Sequence, residues 1–127
     1  MDSTRGKFRG KCVDGKSVEG NYLHLNDGLE CELDIIVDAA GQYKRIDVST
    51  LGQSTGYLDK MGRVVYEGDI IKDDDIEAPL AVGFEEKLAA YAGTSLDNKV
   101  VWMLHELQNS GIEIIGNVHE EQTELGV

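Results

Sequence analysis

The sequence is poor in the residues that mark specialised chemistry. Its 127 residues hold one proline, two cysteines, three histidines and one tryptophan. The cysteines, Cys12 and Cys31, belong to no CxxC or Cys/His cluster, and two of them in a reducing compartment do not make a disulfide framework, with a redox or pairing role as the alternative. Both read as free, half-buried strand residues, because an unpaired thiol packs as a small hydrophobe. No long hydrophobic run is present either: Val100-Val101-Trp102-Met103-Leu104 is far short of the roughly 20 apolar residues a spanning helix needs. Residues 1–9 are polar where a secretory signal would carry its apolar segment, so the chain is expected in the cytoplasm, away from the membrane.

Basic residues are scarce in one half. Residues 1–63 hold nine Lys/Arg against ten Asp/Glu, whereas residues 64–127 hold three against fourteen, within a net charge of −12. An acidic field repels phosphate backbones, so nucleic acid is a disfavoured partner unless the basic patch of Arg5, Lys7, Arg9, Lys11 and Lys16 acts alone. The bland reading of the acidic half is solubility. The sharper one is mimicry of nucleic acid toward a DNA-binding protein.

What is present is turn chemistry set between β-type runs. Asp14-Gly15 predicts a hairpin between strands over 8–13 and 18–25, since Asp and Gly accept the positive φ of tight turns. Asn26-Asp27-Gly28 repeats the signal. Beyond it, Leu29, Cys31, Leu33 and Ile35 alternate with Glu30, Glu32 and Asp34, the period of a half-solvated strand that Ile36-Val37 extends. After a turn at Ala39-Ala40-Gly41-Gln42, the stretch Gly52 to Ile71 reads as strand, turn, strand. In it Gly52-Gln53-Ser54-Thr55-Gly56 is a β-corner, and Asp59-Lys60-Met61-Gly62 is a type I turn with Asp bonding the backbone. Val64-Val65-Tyr66 is a short strand, Glu67-Gly68-Asp69 a corner whose Asp69 caps a neighbouring amide, and Asp73-Asp74-Asp75 with Pro79 an exposed loop.

Residues 80–110 leave two readings open. Phe84, Leu88 and Tyr91 fit a helix face, while Leu80, Val82 and Phe84 alternate as in a strand and Glu85-Glu86-Lys87 suits a hairpin turn. For Val100-Val101-Trp102 a strand passing into a helical turn at His105-Glu106-Leu107-Gln108 is favoured. Ile112, Ile114 and Ile115 predict a closing strand halted by Gly116-Asn117, and residues 118–127 a polar tail. No segment repeats and none is linker-like, so 1–127 reads as a single domain. The fold class is mainly β, a compact antiparallel barrel-like or sandwich domain with at most one or two short helices in 84–110.

Candidate sites are weak. Asp69, Asp73, Asp74, Asp75 and Glu77 offer hard oxygen ligands, but the spacing is not that of a calcium loop and a solvated loop is the simpler reading. His24, His105 and His119 share no zinc spacing, and His24, between Leu23 and Leu25, is expected to point outward. No GxSxG elbow presents a nucleophile. Gly52-Gln53-Ser54-Thr55-Gly56 lacks the Lys-Ser/Thr ending of a phosphate loop. Trp102 and the tyrosines at 22, 43, 57, 66 and 91 lack the interleaved basic residues of a base-stacking sheet, so core or interface roles are favoured.

The motifs together resemble the YopX family of phage and prophage proteins. Lys7-Phe8-Arg9-Gly10 with Asp14-Gly15, then Gly52-Gln53-Ser54-Thr55-Gly56, Asp59-Lys60-Met61-Gly62 and Tyr66-Glu67-Gly68-Asp69-Ile70, and finally Ile115-Gly116-Asn117-Val118-His119-Glu120, follow the family pattern in order and spacing. Ser17 stands where the family commonly has Trp, and Glu121-Gln122 where it commonly has Asn-Pro. The resemblance implies a compact, mostly β protein of phages or integrated elements that tends to self-associate and has no established catalytic role. It carries no catalytic residue, cofactor or metal to this chain. Its motif positions Gly52, Gln53, Thr55, Gly56, Asp59, Gly62, Tyr66, Gly68, Asp69, Gly116 and Asn117 read as structural. A non-enzymatic accessory protein that binds itself and a phage or host protein is therefore the leading expectation; a nucleic-acid role, by the basic patch or by acidic mimicry, is the alternative.

Overall fold

The computed structural model describes residues 7–26, 28, 32–74, 76–97, 100–107 and 111–119. They form ten strands: β1 (Phe8–Cys12), β2 (Ser17–Asn26), β3 (Glu32–Val37), β4 (Tyr43–Leu58), β5 (Val64–Tyr66), β6 (Asp69–Asp73), β7 (Ile76–Glu85), β8 (Ala90–Ser95), β9 (Val101–Met103) and β10 (Glu113–Asn117). One short helix, α1 (Leu104–Leu107), follows β9. The expected mainly β chain with at most one or two short helices in 84–110 is what forms. The chain divides into two compact units, Met1–Ser54 and Thr55–Val127.

In the first unit the antiparallel order β1-β2-β3-β4 returns on itself, because β1 pairs β4 as well as β2. The β1–β2 and β3–β4 hairpins are closed by the predicted turn chemistry. Cys12 donates to the Lys16 carbonyl at 2.9 Å around Asp14-Gly15, and the Asp38 carboxylate accepts from the amides of Ala40 and Gln42 in the next turn. Ile36 is fully buried, and Phe8 packs on Tyr22 with ring centroids 5.6 Å apart. Ile35, on the apolar face of the alternation, is buried while Glu32 on the other is exposed, and Ile36 buries that second face toward the end of β3. Leu29 and Cys31 lie outside the described residues, while Cys12 is a half-buried free thiol.

The second unit is built on the antiparallel order β10-β6-β7-β8-β9. Its core gathers Val65, Ile71, Leu80, Val82, Leu104, Leu107 and Ile112, with Tyr57, Ile76, Tyr91 and Ile114 packed against it. Apolar side chains of this number, removed from water at about 25 cal/mol per Å², dominate what holds the unit together. Of the two readings left open for residues 80–91, the strand alternation prevails: Leu80 and Val82 enter the core, and β7 and β8 form a hairpin with Phe84 directly opposite Tyr91. The helical turn expected after Trp102 forms at 104–107; Gln108 is outside the described residues.

The hairpin tip carries a strained residue. Ala89 adopts φ 50°, the left-handed region where a Cβ costs about 1–2 kcal/mol. Ala89→Gly is expected to stabilise the protein by about 0.5 kcal/mol once the greater freedom of unfolded glycine is offset, measured as a raised urea midpoint with unchanged slope. A lower midpoint would contradict it.

Three expectations are corrected. The run Gly52 to Gly56 is not a corner between strands: both glycines lie inside the sixteen-residue strand β4, which absorbs Gly56 at φ 83° as a local left-handed residue. Asp73 and Pro79 do not form an exposed loop. Asp73 ends β6 almost fully buried, and Pro79 sits within β7 near a register shift between Ile71 and Asp73, where its missing amide is tolerated. Gly116 and Asn117 belong to β10 rather than halting it, and residues 120–127 of the expected tail lie outside the described residues.

Candidate functional site

The motif residues assemble two buried polar knots in the second unit. The first is centred on Asp59, whose side chain is fully buried. Its Oδ1 accepts from the amides of Met61 at 2.9 Å and Arg63 at 2.8 Å, which closes the predicted turn. Its Oδ2 accepts from Arg63 Nε at 3.0 Å and Arg63 Nη2 at 2.9 Å. It also accepts from the Ile114 amide at 3.1 Å, while Arg63 Nη2 donates to the Ile114 carbonyl at 2.8 Å. Carboxylate and guanidinium thus present one acceptor and one donor to a single residue of β10, as the peptide groups of a neighbouring strand would. The Lys60 amide adds a bond to the Ile112 carbonyl at 2.8 Å. The turn therefore covers the edge of β10 that faces away from β6.

Burial alone would raise the Asp59 carboxyl. The amides of Arg63 and Ile114, the Arg63 guanidinium and the Met61 amide outweigh it and hold the group below the ordinary aspartate value.

The second knot joins β5, β6 and β10. Asp69 Oδ2 accepts from the Tyr66 amide at 2.8 Å, the cap expected from the sequence, and Asp69 Oδ1 accepts from Asn117 Nδ2 at 3.2 Å. Asn117 Oδ1 then accepts from the His119 amide at 2.8 Å. Between them Gly68, at φ 92°, donates to the Val82 carbonyl and accepts from the Val118 amide. A Cβ there would meet Asn117 and the His119 ring at an ordinary 3.5 Å, so the positive φ, not crowding, calls for glycine.

The other motif residues are placed by strand pairing. Gln53 and Gly52 lie opposite Phe8 and Arg9, and the Thr55 hydroxyl donates to the Val65 carbonyl at 2.8 Å while accepting from the Tyr57 amide at 3.1 Å. Gly116 stands opposite Ile70 at a register shift of β10. Gly62 closes the Asp59 turn at φ 82° with its amide on the Asp59 carbonyl.

One side-chain cluster escapes sequence reasoning. On β2 and β3 the Asp34 Oδ1 atom accepts from the Tyr22 hydroxyl at 2.6 Å and lies 2.7 Å from His24 Nδ1. The Tyr22 hydrogen bond, then that of His24, depresses the Asp34 carboxyl, and the bond to Asp34 raises both the His24 imidazole and the Tyr22 phenol. The register His24↔Asp34 makes the pairing inevitable once β3 is in place, but Asp34 looks like one of three equivalent outward acids in the sequence. His24 does face outward as expected, and its ring is tied by the carboxylate.

Among the described residues no group of three or more His, Cys, Asp or Glu side chains is placed to hold a metal ion. Asp73, Asp74 and Glu77 of the acidic run are split between a buried strand end, a turn and an exposed strand position. Among the described residues a concavity of about 190 Å³ is lined by Lys7, Glu19, Gly20, Asn21, Val37, Asp38 and Ala39, and its Asp38 is engaged in the turn cap. No described helix is long and apolar enough to cross a membrane.

The family model described as YopX protein matches residues 7–125. The chain belongs to the YopX family. In this YopX chain the residues of the motif build the knots around Asp59 and Asp69. Among solved structures, the crystal structure of protein EF1440 from Enterococcus faecalis is similar, with a TM-score of 0.54 and 23% identity over 94% of this chain and 96% of that one. At that identity the likeness is one of fold. A search of the curated proteins finds no match.

Proposed function

We propose that this YopX chain is a non-enzymatic accessory protein of a phage or prophage that acts through its surfaces, by self-association and by binding another protein. The carrying observation is an exposed apolar stretch on one face of the β2–β3 ribbon. The register sets Leu23 opposite Ile35, Leu25 opposite Leu33 and Val37 opposite Tyr43, which places these side chains on one face. Leu23, Leu25 and Tyr43 remain 43%, 45% and 70% exposed there. An apolar face of this kind is a surface to be covered. Beyond Gly20, β2 pairs only with β3 among the described residues, so the ribbon also offers a backbone edge.

Two further observations support the reading. The motif carboxylates are engaged in backbone and guanidinium bonds, which suits structure rather than proton transfer. The basic patch is locally neutralised: across the ladders Arg9 stands opposite Glu19, and Lys11 opposite Asp47, which weakens the case for phosphate binding. Arg5 lies outside the described residues.

Sedimentation velocity tests the proposal. The protein is expected to populate dimers or larger species at about tens of micromolar, and the double variant Leu23→Glu/Leu25→Glu to run as monomer with an unchanged circular dichroism spectrum. A wild-type chain that stays monomeric at those concentrations would remove self-association from the reading.

A further inference from the structure

The edges of the second sheet are engaged by side chains at particular residues, but part of one face is not covered. At the end of β9 the Met103 amide donates to Glu106 Oε1 of α1 at 3.1 Å. The opposite edge, on β10, is covered by the Asp59–Arg63 turn. On the face that carries the core, however, the apolar surface runs past the core itself. Phe84 lies opposite Tyr91, Val82 opposite Gly93, and Gly93 opposite Trp102, so Phe84, Tyr91 and Trp102 share that face. Phe84 is 49% and Trp102 38% exposed, whereas Tyr91 is half-buried against the core. The Phe84 and Tyr91 rings meet edge to face, 5.3 Å apart at 80°.

We infer that this aromatic row docks an arginine- or lysine-bearing peptide segment of another protein. Exposed aromatic faces attract cationic side chains, and carboxylates around them strengthen the preference. Glu86 lies in the hairpin turn beside Phe84 and Tyr91, Asp97 follows β8 and Glu106 lies in α1, whereas Glu85 points to the opposite face of β7; Lys87 and His105 are the basic residues of the same segments. Glu67, in the corner between β5 and β6, adds to the negative field: burial first and the Glu67 charge second raise the Tyr91 phenol. The second unit as a whole carries fifteen Asp/Glu against five Lys/Arg. That field repels a phosphate backbone and opposes a second copy of this chain, while it draws in a basic segment. Tyr91 is anchored in the core and the row is carried by paired strands, so little ordering accompanies binding. The inference rests on the protein-binding part of the proposed function and is independent of self-association, which sedimentation reads separately.

Trp102 is the sole tryptophan, so intrinsic fluorescence of the full chain reports on the row directly. The probes are a short synthetic peptide alternating arginine and leucine, a glutamate and leucine peptide of equal length, and a single-stranded oligonucleotide. The arginine peptide is expected to give a saturable change that weakens as salt is added, with little response to the other two. Phe84→Ala and the double variant Glu86→Gln/Glu106→Gln are each expected to weaken it about tenfold. Phe84 is half exposed, and the charge variant carries the test if Phe84→Ala perturbs folding. No saturable change, equal responses to all probes, a stronger response to the oligonucleotide, or unaltered binding by both variants would each overturn the inference. So would a fluorescence change produced by protein concentration alone, which would assign the row to a second copy.

Discussion

Asp59→Ala is expected to lower stability by about 3 kcal/mol, because a buried carboxylate that serves three backbone amides and a half-exposed guanidinium is removed at once. The amides of Met61, Arg63 and Ile114 lose their acceptor together, and the Arg63 guanidinium loses its counter-charge. Urea unfolding followed by circular dichroism measures the loss. Arg63→Ala is expected to cost less, since Arg63 is half exposed and water replaces it readily. If Asp59→Ala costs under about 1 kcal/mol, the edge closure on β10 is incidental.

The same carboxylate sets an acid limit. Its pKa is lower in the folded state, so its contribution is complete above the unfolded aspartate value near 4 and is lost as pH falls through the folded value. The difference in stability between wild type and Asp59→Ala should therefore shrink in that acidic window and stay constant above it. A difference that grew on acidification would reverse the sign and refute the assignment.

Asp69→Ala is expected to cost a similar amount, about 3 kcal/mol, because Asp69 is almost wholly buried and its removal leaves the Tyr66 amide and the Asn117 side-chain amide without their acceptor. Asn117→Ala should cost less, removing one neutral donor. The two losses should not add, since the residues touch, and the double variant is expected to fall short of the sum by about 1 kcal/mol. Strict additivity in a double-mutant cycle would show that the bond at 3.2 Å contributes nothing.

What the sequence made legible was whatever is decided within a few residues. Asp14-Gly15, the Asp59 turn, the Asp69 cap and the helical turn after Trp102 each depend on a side chain bonding a backbone close by, and each is found where the local chemistry puts it. The failures have one physical cause. Gly52 to Gly56 looked like a corner because glycines usually break strands, yet partners on β1 and β5 keep β4 extended through it. Asp73 looked solvated because acids usually are, and Pro79 looked like a loop residue; strand pairing overrides both. The Asp59 to Ile114 bond spans the chain distance that no local pattern reports, although the conspicuous Asp-Lys-Met-Gly turn pointed to its first half. The aromatic row was visible only as separate residues until the register gathered them.

The clasp on β10 also imposes an order on folding. Translation delivers Asp59 and Arg63 long before the isoleucine they hold, so a nascent chain emerging from the ribosome exposes a buried-to-be carboxylate and guanidinium with nothing to grip. Until residue 114 arrives, β6 lacks its outer neighbour and the sheet waits open on that side. The final strand acts as the key turned last, and a stalled or prematurely terminated product would carry an unsealed, aggregation-prone margin that the finished molecule never displays.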